Sequence, residues 1–195
     1  MPSPEKFNKK LQNFSLSREL IERMYAGYEG ITDKSARNEK SAFFSQAISL
    51  MNEFLPEQQV KEILEANACC KGGVREKNSK SFAKNNKELS IEERLESINQ
   101  QPQLRMGRAE LDAQGFLVVH GVAYQFGDRF ECACPTIGQI KRDHRIPREY
   151  CYCCGGHFKH HYEIMLDVKL ELIEVVSSPH DTDGSEPCVF KYRIL

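Results

Sequence analysis

The sequence predicts an α+β protein, with a helical N-terminal portion over residues 1–103 and a cysteine-rich domain over 104–195 built from a small antiparallel sheet carrying one packed helix. Three observations carry this reading. Apolar residues recur at helical spacing through 15–103, the period changes to two from about Leu104, and helical spacing returns once, over Tyr150–Leu166, between strand-like segments.

The helices come first. Ser15 and Ser17 are N-cap candidates ahead of Leu20, Ile21, Met24 and Tyr28. Ser41 to Leu55 continues with Phe43, Phe44, Ala47, Ile48, Met51 and Phe54 on one face. Pro56 ends that helix and suits the first turn of the next, whose apolar stripe is Val60, Ile63, Leu64 and Ala68. That helix is expected to finish at Cys69-Cys70-Lys71-Gly72-Gly73, the glycines serving as C-cap. Arg75 to Lys87 is highly charged and reads as a solvated helix or a mobile segment. Ser90 and Glu93 form a capping box for a short helix through Ile98.

Strands follow. Met106–Leu111 and Phe116–Tyr124 flank the turn signal Asp112-Ala-Gln-Gly115, which predicts a hairpin. Gly127-Asp128 turns the chain into Arg129–Cys134, placing Phe130, Cys132 and Cys134 on one face. Thr136–Arg148 is a polar loop. After the Tyr150–Leu166 helix, Val168–Val176 alternates as a strand, Ser177–Pro187 is turn-rich, and Cys188–Leu195 closes the sheet.

Charge excludes some functions. Lys and Arg number 27 against 28 Asp and Glu, and neither half of the chain carries the basic excess that phosphate-backbone binding needs. Nucleic acid is therefore not expected as a direct partner. No apolar run approaches the roughly 20 residues that span a bilayer. The first residues, Met1-Pro-Ser-Pro-Glu-Lys6, lack an apolar signal-peptide core, so the expected location is cytoplasmic. There, eight cysteines read as thiols, metal ligands or catalytic groups rather than as a disulfide framework.

Those cysteines are grouped: Cys69-Cys70, Cys132 and Cys134, then Cys151, Cys153 and Cys154, with Cys188 alone. Converging thiolates bind a soft metal, an iron–sulfur cluster or an electrophile. On a helix at 100° per residue, Cys151, Cys154, Phe158, His161, Tyr162 and Met165 share one stripe. Cys153, His157, His160 and Ile164 form the adjacent one, and side chains three or four apart are neighbours. A Cys/His pair at that spacing is compatible with zinc. Packing competes with this reading: Cys154 beside Phe158 and Met165 fits a small core hydrophobe as well as a ligand, and Cys132 and Cys134 alternate correctly for the core face of a strand. Gly155-Gly156 costs up to about 1 kcal/mol per residue in a helix interior relative to Ala, which predicts close approach of backbone or ligand there. Gly155, Gly156 and Phe158 are accordingly candidate ligand-binding residues, with tight helix-on-sheet packing as the equal alternative.

Residues from about 110 to 195 resemble the 4-vinyl reductase-type small-molecule-binding domain, found in sensors of aromatic compounds and in tetrapyrrole-pathway proteins. The segments that carry the likeness are Phe130-Glu-Cys-Ala-Cys-Pro135, Cys151-Tyr-Cys-Cys-Gly-Gly156, Leu172-Ile-Glu174-Val-Val and Asp183-Gly-Ser-Glu-Pro-Cys188-Val-Phe190. The resemblance implies a zinc held by Cys151, Glu174 and Cys188. The position it assigns to a further thiolate is Ser177, so Cys134, Cys154 or His180 would have to replace it. The ending Cys188-Val-Phe-Lys-Tyr-Arg also resembles that of aminothiazoline-carboxylate hydrolase-like proteins, which implies ring-opening hydrolysis. Cys69-Cys70-Lys-Gly-Gly belongs to neither pattern.

Three functions follow as expectations. The first is a small-molecule-binding or sensory protein with a zinc site drawn from Cys151, Glu174, Cys188, Cys134, Cys154, Cys69 and Cys70, acting through a signalling partner or as a homodimer. The second is a cysteine hydrolase of a small C–N or C–S substrate, with Cys70, Cys134 or Cys154 as nucleophile and His157 or His161 as base. The third is an iron–sulfur or thiol redox protein using the clustered cysteines.

Overall fold

The computed structural model describes residues 3–69 and 71–195. It is α+β, with six helices, then antiparallel sheets and a packed seventh helix. The chain forms two compact units that interleave along the sequence: Met1–Cys69 with Ala133–Cys154, and Cys70–Cys132 with Gly155–Leu195. The change of period at residue 103 marks where strands begin, and it lies inside the second unit.

The first unit holds α1 (Pro4–Leu11), α2 (Arg18–Tyr25), α3 (Arg37–Phe54) and α4 (Glu57–Ala66). The helix α1 lies ahead of the region where helical spacing is expected to begin. It is opened by Ser3, whose Oγ accepts from the Lys6 N–H at 3.1 Å, with Pro4 preset for the first turn. Ser17 caps α2 by accepting from the Leu20 N–H at 3.2 Å. Ser15 instead takes a left-handed conformation (φ 52°) after a 3-10 turn. Phe7, Phe43 and Phe44 are buried in mutual edge contacts with centroids 5.0–6.1 Å apart, and Tyr25 and Tyr28 border Phe43. Met24, Ile48, Met51, Val60 and Ile63 complete this core.

The second unit begins with α5 (Gly73–Asn85) and α6 (Ile91–Asn99). The glycines expected to end α4 open α5 instead: α4 stops at Ala66 with Asn67 as its C-cap, Gly72 is the N-cap of α5, and Gly73 has φ +68°. A Cβ would strain that start, which is why glycine stands there. The charged stretch 75–87 is helical and buries Ser79 and Phe82. The capping box of α6 is complete in both directions, with bonds of 2.8 and 3.2 Å.

The main sheet has the order β1 (Arg108–Leu111), β2 (Leu117–His120), β6 (Val189–Ile194), β5 (Leu170–Ser177), all antiparallel. A separate hairpin pairs β3 (Ala123–Phe126) with β4 (Arg129–Cys132). Since β4 ends at Cys132, Cys134 is not on the strand face where alternation places it. The edge strand β5 carries two irregularities: Leu172 pairs with Tyr192 but Glu174 with Lys191, and Val175 pairs with Phe190 but Ser177 with Val189. Each leaves one residue extra, Ile173 and Val176, both exposed. The helix α7 (Tyr152–Leu166) follows a 3-10 turn over Arg148–Cys151. Tyr152 to Cys154 belong to the first unit and Gly155 onward to the second. Over the sheet, the Tyr192 hydroxyl donates to the Gly155 carbonyl at 2.8 Å and the Phe158 and Phe190 rings meet at 5.4 Å.

Candidate functional site

In the first unit, the segment 133–147 is tied down by one face of α3. Arg37 donates to the Gly138 carbonyl, Ser41 Oγ meets His144 Nε2 at 2.9 Å, and Ser45 donates to the Arg145 carbonyl at 2.6 Å. Positions 37, 41 and 45 recur at i, i+4, so they line up along the helix. At the start of this segment, the Cys134 carbonyl accepts from the Gly138 N–H at 2.7 Å, closing a turn around Pro135. At its end, Pro147 leads into the 3-10 turn that presses Tyr150 edge-on against Phe44, with centroids 5.9 Å apart. A Tyr between Pro147 and the Cys151–Cys154 group was the available signal for this residue, but periodicity alone marks it only as a helix start.

Tyr150 is 2% exposed. Its hydroxyl lies 3.4 Å from Cys134 Sγ. Burial, then the neighbouring thiols of Cys134, Cys153 and Cys154, push the phenol well above its ordinary pKa. Cys153 Sγ is 3.6 Å from the Asn67 carbonyl oxygen, so the end of α4 reaches the same thiols. Cys69, two residues beyond Asn67, is half-buried, as is Cys154; Cys134, Cys151 and Cys153 are buried. Two polar side-chain atoms close in sequence to these thiols, Asn67 Nδ2 and Thr136 Oγ1, are buried without a hydrogen-bond partner. Such orphaned donors are uncommon among buried groups. Cys70 lies outside the described residues, both as a ligand and as a nucleophile candidate.

The second unit holds the other candidates. Cys132 ends β4, and Cys188, just before β6, is buried with its carbonyl accepting from the Gly121 N–H at 2.7 Å. A Cβ on Gly121 would stand 3.0 Å from Cys188 Cβ and 3.1–3.2 Å from the rings of Phe190 and Phe158. Glu174 is exposed and pairs with Lys191, whereas Cys188 and Phe190 are buried. The irregularity at Ile173 moves Glu174 to the outer face, so the structure does not bring Glu174 together with Cys188. Ser177 donates to the Pro187 carbonyl at 2.7 Å, and His180 is half-buried.

Along α7, His157 and His161 are buried and face α5. His161 Nδ1 lies 2.9 Å from Ser79 Oγ, and His157 Nε2 lies 3.3 Å from Arg75 Nη1. The His157 and His161 rings meet edge-on with centroids 4.8 Å apart, and His160 meets His161 edge-on at 5.1 Å. A guanidinium N–H can only donate, so in this contact His157 accepts through Nε2. Ser79 and Arg75 were hidden in a stretch whose charge reads as solvated. Gly155, Gly156 and Phe158, the candidate ligand-binding residues, are all buried, and Leu172 fills the space against Gly155.

Among the described residues, no group of three or more His, Cys, Asp or Glu is arranged to hold a metal ion. Buried thiols are the donor type a thiophilic metal takes, and Cys134 and Cys153 supply them in the first unit. The set implied by family resemblance is not assembled, because the Glu174 carboxylate faces outward. Grooves on the first unit, one lined by Arg23, Gln46 and Glu53 and another by Ser17, Phe54 and Gln59, contain none of the cysteines. No helix among the described residues is long and apolar enough to cross a membrane. No protein-family model, curated protein or solved structure matches the chain.

Proposed function

We propose that the protein is a binding or sensory protein whose first unit carries a thiolate metal site, with zinc as the metal and Cys134, Cys153, Cys154 and Cys69 as the donors to draw upon. One observation supports this reading: Cys134 Sγ lies 3.4 Å from the buried Tyr150 hydroxyl, Cys153 and Cys154 act on that hydroxyl electrostatically, and Cys153 Sγ lies 3.6 Å from the Asn67 carbonyl at the end of α4. Soft thiolates select zinc or iron–sulfur clusters over harder ions. Zinc bound there would fix the charge of the thiolates and tie the end of α4 to the 133–154 segment. The small-molecule ligand belongs to this reading through the resemblance of residues 110–195 to a ligand-binding domain, and it is the sheet unit that would hold it.

The test is metal analysis and absorbance of the protein purified anaerobically. Colourless protein with stoichiometric zinc, lost in a Cys134→Ala, Cys153→Ala double variant, is the expected result. Brown protein with iron and sulfide would replace zinc by an iron–sulfur cluster at the same thiols. Protein without metal of either kind overturns the proposal.

A further inference from the structure

Independently of the metal reading, we infer that β3 is a pairing edge for a second copy of this chain, joined antiparallel across a two-fold axis with Tyr124 of one copy facing Tyr124 of the other. Open sheet edges invite pairing, and natural sheets blunt them with charge, bulges or cover. The two sheets have four edges, and three are blunted. On β1, the Asn99 side chain donates to the Ala109 carbonyl and accepts from its N–H, both at 2.8 Å, in place of a further strand. On β5, the extra residues Ile173 and Val176 break the ladder. On β4, the Phe130 N–H donates to the Gly184 carbonyl at 2.7 Å. That bond points away from β3, so Phe130 and the residue opposite it, Gln125, form a non-hydrogen-bonded pair. The backbone groups of Gln125, and of Ala123 two residues before it, therefore point out of the hairpin. Among the described residues they have no backbone partner. The strand itself, Ala-Tyr-Gln-Phe, carries no charge and no proline.

The side chains select the occupant. Val122, Tyr124 and Phe126 alternate onto one face and are 43%, 48% and 56% exposed. When Ala123 and Gln125 of one copy exchange backbone bonds with Gln125 and Ala123 of the other, Tyr124 meets Tyr124 and Val122 meets Phe126 at both ends. Aromatic–aromatic and aromatic–β-branched pairs are favourable across strands. No charge opposes a charge in this register, because residues 122–126 are neutral. A charged foreign strand would set its charge against a ring. Area sets the strength. A fully covered Tyr or Phe buries roughly 150–250 Å², so these half-open side chains from two copies give on the order of 500 Å². Stable interfaces bury about 1,200 Å² or more, so this dimer dissociates on dilution.

The experiment is sedimentation equilibrium of the full chain from roughly 1 μM to about 1 mM, with monomer expected at the low end and dimer at the high end. Tyr124→Lys sets two ammonium groups face to face. Gln125→Pro removes an outward N–H and leaves the bonds to β4 in place. Each should weaken association by about tenfold or more, as lost backbone bonds and opposed like charges do. If one variant fails to fold, the other still decides. The register has its own readout. Facing residues of a non-hydrogen-bonded pair stand about 4.5 Å apart at Cα, within disulfide reach. Tyr124→Cys should therefore cross-link to its own copy under mild oxidation, identified by mass spectrometry of the joined peptides, whereas Gln125→Cys, which faces Ala123, should not. A wild type that stays monomeric throughout, a dimer that both variants leave unchanged, or cross-linking at 125 in place of 124 overturns the inference.

Discussion

A Cβ placed on Gly155 would stand 2.5 Å from Leu172 Cδ2, closer than real carbon atoms approach. The helix therefore meets the sheet at a position where the protein's own leucine fills the space that the glycine leaves. Gly155→Ala should destabilise the protein by about 1–3 kcal/mol, the usual cost of overpacking a core. Leu172→Ala opens a cavity of its own, yet combined with Gly155→Ala it should cost less than the two changes summed. Urea denaturation of the two single variants and the double variant measures this. Strict additivity would show that the two residues do not compete for space.

Ser79 and His161 are both buried, and their 2.9 Å contact joins α5 to α7. Removing the hydroxyl leaves a buried imidazole nitrogen short of a partner, which costs about 1–3 kcal/mol. Ser79→Ala should lower the denaturation midpoint by that amount. Ser79→Thr keeps the hydroxyl and should recover part of it.

Arg94 is almost wholly buried and spends its guanidinium on carbonyls: Leu89, Lys87 and, at the end of α7, Leu166 at 2.9 Å. The last carbonyls of a helix lack partners within it, and a cation there also suits the helix dipole. A lysine presents one point charge where a planar fork serves several acceptors. Arg94→Lys is thus expected to be costly, by about 1.5–3 kcal/mol for each charged hydrogen bond lost. Thermal melting followed by far-ultraviolet circular dichroism tests this, and a melting temperature equal to wild type would rule it out.

Lys191 holds the Asp112 carboxylate at 2.7 Å, and Asp112 also accepts from the backbone N–H groups of Gln114 and Phe116 at 2.9 Å each. These bonds, the Lys191 one foremost, lower its pKa. The folded state therefore binds a proton at this site less readily than the unfolded chain. The resulting stability is fully present above the ordinary carboxyl range near pH 4 and is lost as pH falls through the lower folded value. Asp112→Asn should remove this part of the acid dependence while keeping the turn. Denaturation midpoints compared between about pH 6 and pH 2 read it out, and parallel curves for the two proteins would refute it.

Glu174 is exposed on the outer face of β5. Glu174→Ala should therefore leave zinc content and melting temperature near wild type, within about 0.5 kcal/mol in stability. Loss of zinc in this variant would restore the ligand set that family resemblance implies.

Much of the fold could be read from local rules. Ser17, Ser90 and Glu93 cap as their residue types require, because capping depends on three or four neighbouring residues and little else. The Asp112–Gly115 turn did specify the β1–β2 hairpin. What escaped is what depends on partners distant in sequence. Alternation in β5 places Glu174 with Leu172, and an extra residue at Ile173, visible only against β6, reverses that assignment. Gly72 and Gly73 suit a helix end or a helix start equally, since both need a residue free of Cβ strain. The grouping of thiols was legible in the sequence, but the contact of Tyr150 with Cys134 was not, because being buried beside sulfur leaves no periodic mark.

The interleaving of the two units bears on how the chain is made. A ribosome releases residues 1–69 long before Tyr150, the ring that closes on Phe44. The whole of segment 70–132 must emerge in between, and it in turn waits for the strands after Gly155. Neither unit can be finished as a contiguous piece of nascent chain, and an apolar face containing Phe44 stays open during that interval. The order of residues therefore favours incompletely packed intermediates, because the first unit closes only when residues 133–154 return to it and the second only when the strands after Gly155 have formed.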